Sequence, residues 1–199
     1  CDTQDVRMDE VIKLLSNLTH GESIIVTDVG QHQMMAARYY QYNKTKSNVT
    51  SGGLGTMGFA LPAAIGAKLG MPDKDVIAII GDGGFQMTLQ ELGTILQSKI
   101  PVKIVILNNN FLGMVRQWQE MFFERRYSFT EMISPDYVKL AESYGIQAKS
   151  IASKTDLEDG LREMLDAKEA YLLEVKVVKE ENVFPMVPTG ASVSEIRLA

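Results

Sequence analysis

The chain has 199 residues, 45% hydrophobic and 23% charged, which suits one globular domain with a substantial core. Its formal net charge of -5 comes from interspersed acids and bases with no basic stripe, which argues against a nucleic-acid partner. No apolar run approaches the roughly 20 residues of a membrane span and the N-terminus lacks a signal-peptide pattern, so the protein reads as soluble and cytoplasmic; the single cysteine, Cys1, reads as a boundary residue rather than a nucleophile and leaves no disulfide or cysteine metal cage.

Short β-branched runs alternate with segments of helical period along the chain, the pattern of a doubly wound, mainly parallel α/β sheet with helices on both faces. A first helix is predicted over 5–18, with Met8, Val11, Leu15 and Leu18 on one face and Gly21 beyond its end, then a strand over 23–28. Residues 29–42 begin as a loop and become a short helix. A short strand over 49–51 runs into Gly52-Gly53-Leu54-Gly55-Thr56-Met57-Gly58, after which Pro62 opens a helix that Gly70 ends. A strand over 76–80 leads to Gly81-Asp82-Gly83-Gly84 and a helix over 86–97 with Leu89, Leu92 and Leu96 inward. The strand over 102–107 ends on Asn108-Asn109-Asn110, ahead of a Met- and aromatic-rich segment over 111–127. Ser134-Pro135 signals a helix to about Tyr144, 145–150 returns as a strand, and Thr155 with Glu158 forms a capping-box pattern before Leu157, Leu161 and Leu165. A strand over 171–178 precedes an irregular closing tail, 183–199.

The chemistry concentrates at two strand ends. Gly81-Asp82-Gly83 and Asn108-Asn109 close successive strands, and in an open parallel sheet the C-terminal strand ends border the ligand crevice. Asp82 and Asn109 can therefore converge. A carboxylate, an amide oxygen and a backbone carbonyl are hard donors suited to magnesium that also holds phosphates. Gly83 and Gly84 let backbone N–H groups approach a phosphate at a helix N-terminus, without a P-loop lysine. Alone, Gly-Asp-Gly is a common strand-to-helix turn. The strand before each cluster, the interval between them and the Asn-Asn pair raise it above that.

The complete pattern resembles the thiamine-diphosphate motif, and the chain is similar over 22–187 to the C-terminal diphosphate-binding domain of acetohydroxyacid synthase (acetolactate synthase) catalytic subunits. The resemblance implies magnesium on Asp82, Asn109 and the backbone carbonyl of Phe111, with Gly81, Gly83 and Gly84 beside the cofactor. It implies that Gln31 and His32, in Val29-Gly30-Gln31-His32-Gln33-Met34, contact the diphosphate. By the same resemblance the Gly55 carbonyl meets the aminopyrimidine, and Met57 wedges beneath the bent cofactor, a place that suits a flexible thioether. The segment Leu112-Gly113-Met114-Val115-Arg116-Gln117-Trp118 resembles the family's substrate channel: Gly113 and Met114 are expected near the cofactor, and Met114, Val115 and Trp118 along the channel.

The family's activating glutamate lies on a pyrimidine domain with no counterpart in the sequence, as is also true of its central domain. No catalytic residue is expected in this chain; Glu91 and Glu120 read as solvated or paired surface carboxylates. The chain alone is expected to be inactive, as one excised domain. The complete enzyme is expected to use thiamine diphosphate and Mg2+ to condense pyruvate with pyruvate or 2-oxobutyrate, releasing CO2, in branched-chain amino-acid biosynthesis. It is expected to act as a homodimer or higher oligomer, with FAD and a regulatory small subunit often associated in the family. Two other readings stay open: another thiamine-diphosphate decarboxylase, oxidase or carboligase, and a non-catalytic phosphate-ligand module on the same fold.

Overall fold

The computed structural model describes residues 4–188 and 190–198; Cys1 lies outside them. In chain order the elements are α1 Met8–Leu18, β1 Ile24–Thr27, α2 Gln31–Tyr39, β2 Asn48–Thr50, α3 Ala60–Gly70, β3 Val76–Gly81, α4 Asp82–Thr88, α5 Glu91–Ser98, β4 Lys103–Asn108, α6 Gly113–Phe122, α7 Tyr137–Ser143, β5 Gln147–Ile151, α8 Lys154–Asp166 and β6 Tyr171–Lys176, with a 3-10 turn at Val193–Glu195. The six strands form one parallel sheet in the order β2-β1-β3-β4-β6-β5. Parallel strands need crossovers, and the intervening helices supply them.

Alternation along each strand divides the core in two. Ile25, Ile77, Ile79, Val105, Leu107 and Leu173 face one side, where α1, α2 and α8 cover them. Val26, Ala78, Ile80, Ile104, Ile106 and Leu172 face the other, beneath α3, α5 and α7. Because both faces are covered, the central strands read as continuous apolar runs rather than alternating ones. Each fully buried Ile or Leu contributes about 1.5–3 kcal/mol relative to exposure.

The doubly wound fold matches the expectation, and its helix ends differ in instructive ways. α1 starts at Met8 rather than residue 5, and the Met8 N–H is taken by the Glu181 carboxylate, 3.0 Å away, from the far end of the chain. The helix expected over 86–97 is two helices broken at Leu89 and Gln90, and the first begins at Asp82 itself. Within α5, Leu92 is buried as expected, but Leu96 is 53% exposed. α7 starts at Tyr137, capped by Asp136, whose side chain accepts from the Lys139 N–H at 3.0 Å. α8 is capped by Ser153 through the Thr155 N–H rather than by the Thr155–Glu158 box.

Buried Lys103 at the start of β4 was not anticipated. It stays in the fold because its ammonium reaches backbone carbonyls of Ala167 and, at 2.6 Å, Glu169, although burial pulls its pKa below the ordinary value.

Candidate functional site

The chain leaves β1 for β2 at the sheet edge and then crosses back to β3, so the winding direction reverses between β1 and β3. At such a reversal the loops after adjacent strands diverge to opposite faces and open a crevice at their C-terminal ends. A cleft of about 180 Å³ occupies that position, lined from the β1–α2 turn, the β3–α4 junction and the β4–α6 turn. It is bordered by Gln31, His32, Met57, Gly81, Asp82, Gly83, Gly84, Asn109, Phe111, Gly113, Met114 and Val115, thus gathering segments far apart in sequence.

Two of the sequence-predicted residues do not line it. Gly55 stands exposed on the loop between β2 and α3, with a φ of 65° that favours glycine. Trp118 lies farther along α6, packed against Phe122 with ring centroids 5.0 Å apart.

Asp82 is 2% exposed, where β3 becomes α4. Burial pushes its carboxyl pKa up to about 6, against the opposing pull of hydrogen bonds from Ser134 and the Gly83 N–H and the charge of His32. Ser134 Oγ lies 3.2 Å from Asp82 Oδ2, and the Tyr137 hydroxyl donates to the Asp82 carbonyl at 2.9 Å. On the next strand Gly81 is in register with Leu107, which places Asn109 just beyond. Asn109 is buried, its Oδ1 accepting from the Phe111 N–H at 3.1 Å and its Nδ2 lying 3.5 Å from Gln31 Oε1. Among the described residues no hydrogen bond engages the Phe111 carbonyl. Three oxygen donors thus come from two adjacent strand ends. No cluster of three His, Cys, Asp or Glu side chains suited to a metal occurs among the described residues, so this mixed donor set is the one to consider.

The glycines stand where neighbouring side chains already fill the space a Cβ would take. A Cβ on Gly83 would come to 3.0 Å from both the Met57 methyl and Leu112, and one on Gly84 would overlap the Asp28 carboxylate. His32 lies against Gly30 and Gly81 and hydrogen-bonds Asp28, whose other oxygen accepts from the Gly58 N–H at 3.0 Å. Asp28 therefore ties the β1 turn to the loop that carries Met57.

Asp28, Ser134, Tyr137, Gln117 and Glu181 were not singled out from the sequence. An acid at the end of β1 was the one available signal for Asp28, because that strand borders the reversal. Ser134 and Tyr137 reach Asp82 from a segment whose one signal, Ser134-Pro135, marks a helix start and not a site, and Gln117 was seen only as part of a channel-like run. Glu91 and Glu120 are tied up locally, Glu91 by the Thr94 hydroxyl at 2.8 Å and Glu120 by Arg116 at 3.2 Å. No helix among the described residues is long and apolar enough to cross a membrane.

Comparison with known proteins places the chain in a family. Residues 28–175 match the family model described as thiamine pyrophosphate enzyme, C-terminal TPP binding domain. The chain is 49% identical over 193 residues to the acetolactate synthase large subunit of Lactococcus lactis, covering 96% of this chain and 33% of that protein. It is 47% identical over 187 residues to the isozyme 2 large subunit of Escherichia coli, covering 94% and 34%. The mitochondrial acetolactate synthase of Schizosaccharomyces pombe is 48% identical over 196 residues, covering 97% and 29%. The chain thus spans about a third of the length of these relatives. Among solved structures, the thiamine diphosphate-dependent 4-hydroxybenzoylformate decarboxylase of Rhodococcus jostii superposes with a TM-score of 0.83 at 27% identity, covering 92% of this chain and 34% of that one.

Proposed function

The chain belongs to the thiamine pyrophosphate enzymes as their C-terminal cofactor-binding domain, and on that premise we propose that it holds the magnesium and diphosphate of thiamine diphosphate in an acetolactate synthase catalytic subunit. The observation that carries the reading is the burial of Asp82 and Asn109 together at adjacent strand ends, on one cleft with Gln31, His32 and Met57. The unengaged Phe111 carbonyl and the glycine backbone that Gly83 and Gly84 present to the cleft fit a cation with a diphosphate attached.

In this reading Asp82, Asn109 and the Phe111 carbonyl hold the cation as hard oxygen donors. Backbone N–H groups of Gly84 and of the first residues of α2, Gln31 and His32, meet the phosphate oxygens, favoured by the α2 dipole, while the Gly83 N–H holds the Asp82 carboxylate. Asp28 fixes the His32 ring. Met57 would pack against the bound cofactor, Gly55 would offer its carbonyl to the aminopyrimidine, and Gly81, Gly113 and Met114 would complete the walls. Val115, half exposed at the mouth, and Trp118 beyond it lead the substrate in. Bound thiamine diphosphate supplies the electron sink for decarboxylating a 2-oxo acid.

The proposal extends to the complete enzyme: condensation of pyruvate with pyruvate or 2-oxobutyrate and release of CO2. The activating glutamate comes from a pyrimidine domain outside this chain, in an assembly of at least two catalytic subunits, with FAD and a regulatory small subunit as further partners. Identities of 47–49% to the synthases, against 27% to the decarboxylase, support the synthase over the other thiamine-diphosphate enzymes.

Two experiments test this. The full-length protein given pyruvate is expected to form acetolactate; release of acetaldehyde instead would point to a decarboxylase. Calorimetric titration with thiamine diphosphate is expected to require Mg2+, and Asp82→Ala to weaken binding by about 100-fold or more. Equal binding of unrelated diphosphates without any dependence on Asp82 would leave only a phosphate-binding module.

A further inference from the structure

We propose that Gln117 is a positioning residue: acting through Gln31, it decides which atom of the Asn109 amide faces the cation. The inference rests on the reading of Asn109 as a magnesium ligand. An amide's oxygen and nitrogen are told apart by their partners, so the polarity of an amide chain is secure only where it ends on backbone groups. Here it does so at both ends.

Gln117 is fully buried in α6. The Val183 N–H donates to its Oε1 at 2.9 Å, and its Nε2 donates to the Val183 carbonyl at 3.1 Å, which fixes the amide's orientation. Its Oε1 then takes a second bond from Gln31 Nε2 at 3.0 Å. The other Gln31 hydrogen goes to the Glu181 carbonyl at 2.8 Å. Both donors of the Gln31 side chain are thereby used, and its Oε1 is left facing Asn109 Nδ2 at 3.5 Å. With nitrogen held on that side, Asn109 turns its Oδ1 toward the Phe111 turn, where the Phe111 N–H confirms the assignment at 3.1 Å. A reversed Asn109 would offer an NH2 to both that N–H and the cation.

Gly113 provides a second, independent mark of the same contact. A Cβ there would overlap Gln31 Oε1 and stand 3.0 Å from Asn109 Nδ2, so the pair of amides occupies space that only glycine leaves open. The arrangement also leaves the Gln31 side chain no hydrogen to give a phosphate. Its share in diphosphate binding falls to its backbone N–H at the start of α2.

The test uses the full-length protein, with cofactor binding followed calorimetrically as Mg2+ is titrated at fixed thiamine diphosphate. Unfolding midpoints are measured without metal. Gln117→Leu is expected to raise the Mg2+ concentration for half-saturation about tenfold, and to add nothing further in a Gln31→Leu background, because the effect passes through Gln31. Gly113→Ala is expected to shift it in the same direction while leaving the Gln117–Val183 bonds in place, and it serves if Gln117→Leu does not fold. A lowered midpoint with an unchanged Mg2+ requirement, or independent contributions from Gln31 and Gln117, would overturn the relay. Should Asp82→Ala also leave the Mg2+ requirement untouched, the magnesium reading itself would fall; if Asp82→Ala abolishes it and Gln117→Leu does not, the relay alone is wrong.

Discussion

The two rims of the sheet carry crevices of opposite character. Where β5 and β6 begin, an open groove of about 840 Å³ runs past Gly145, Gln147, Glu163 and Tyr171. Its one carboxylate in a hydrogen-bonded cluster, Glu163, is already satisfied by Lys149 at 2.6 Å and the Tyr171 hydroxyl at 2.8 Å. At the opposite rim the cleft holds about 180 Å³, yet Asp82 and Asn109 are buried in it and glycine replaces side chains along its wall. Volume does not mark the site. Convergent, desolvated oxygen atoms at strand C-termini do, because a ligand that completes their coordination recovers the cost of burying them.

Glycine substitutions break this contrast most sharply. Gly84→Ala sets a Cβ onto the buried Asp28 carboxylate and is expected to cost about 2–3 kcal/mol in denaturant unfolding, together with cofactor binding. On α5, Gly93 meets nothing nearer than Tyr144 at 3.8 Å, and Gly93→Ala is expected to raise stability by about 0.5–1 kcal/mol. Equal costs at both positions would remove the distinction.

Acidity gives the next effect, with opposite signs at the two rims. The Asp82 pKa is raised from 3.8 to about 6, so the folded metal-free chain holds its proton more tightly than the unfolded chain does. The ionised carboxylate therefore costs stability above pH 6, and that cost fades as pH falls toward 4. Asp82→Asn is expected to stabilise the metal-free protein by about 2 kcal/mol at pH 8 and to make little difference near pH 4. The Glu163 pKa is lowered by hydrogen bonds from Lys149 and Tyr171, so its small contribution is present at neutral pH and lost in acid. Unfolding midpoints of Asp82→Asn and Glu163→Gln across pH separate the two.

Tyr137→Phe sharpens the comparison on the cleft side alone. It removes the donor to the Asp82 carbonyl and the acceptor for Gln86 Nε2, at 2.9 and 3.2 Å, and is expected to cost about 1 kcal/mol. At the groove, Lys149→Ala breaks an exposed pair and is expected to leave the midpoint unchanged.

Much of this was legible in the sequence because it is periodic or punctuated. The alternation of apolar runs and helical patterns yields the doubly wound sheet, and Gly-Asp-Gly with Asn-Asn marks two strand ends. The break at Leu89 and Gln90 was hidden because neither residue is a helix breaker. Lys103 was hidden because its acceptors, the Ala167 and Glu169 carbonyls, are backbone groups far along the chain. The same holds for the amides of Gln31 and Gln117, whose partners at Glu181 and Val183 lie in the closing tail. Side-chain partnerships across such intervals leave no local trace. Asp28 is the instructive miss, since its place at the end of β1 was predicted and its pairing with His32 needed only the topology.

The bonds to Glu181 and Val183 also bear on where the autonomous unit ends. The family model's match stops at residue 175, within the last strand, and a fragment trimmed there would lose only the final residue of the sheet. It would lack the Glu181 carboxylate that takes the first N–H of α1, the Glu181 carbonyl that holds Gln31, and both Val183 groups that orient Gln117. The end of the last strand and the end of the residues it depends on are different places. A fragment that keeps these bonds must run past Val183, and residues 181–183 act as a clasp joining the first helix, the β1 turn and α6.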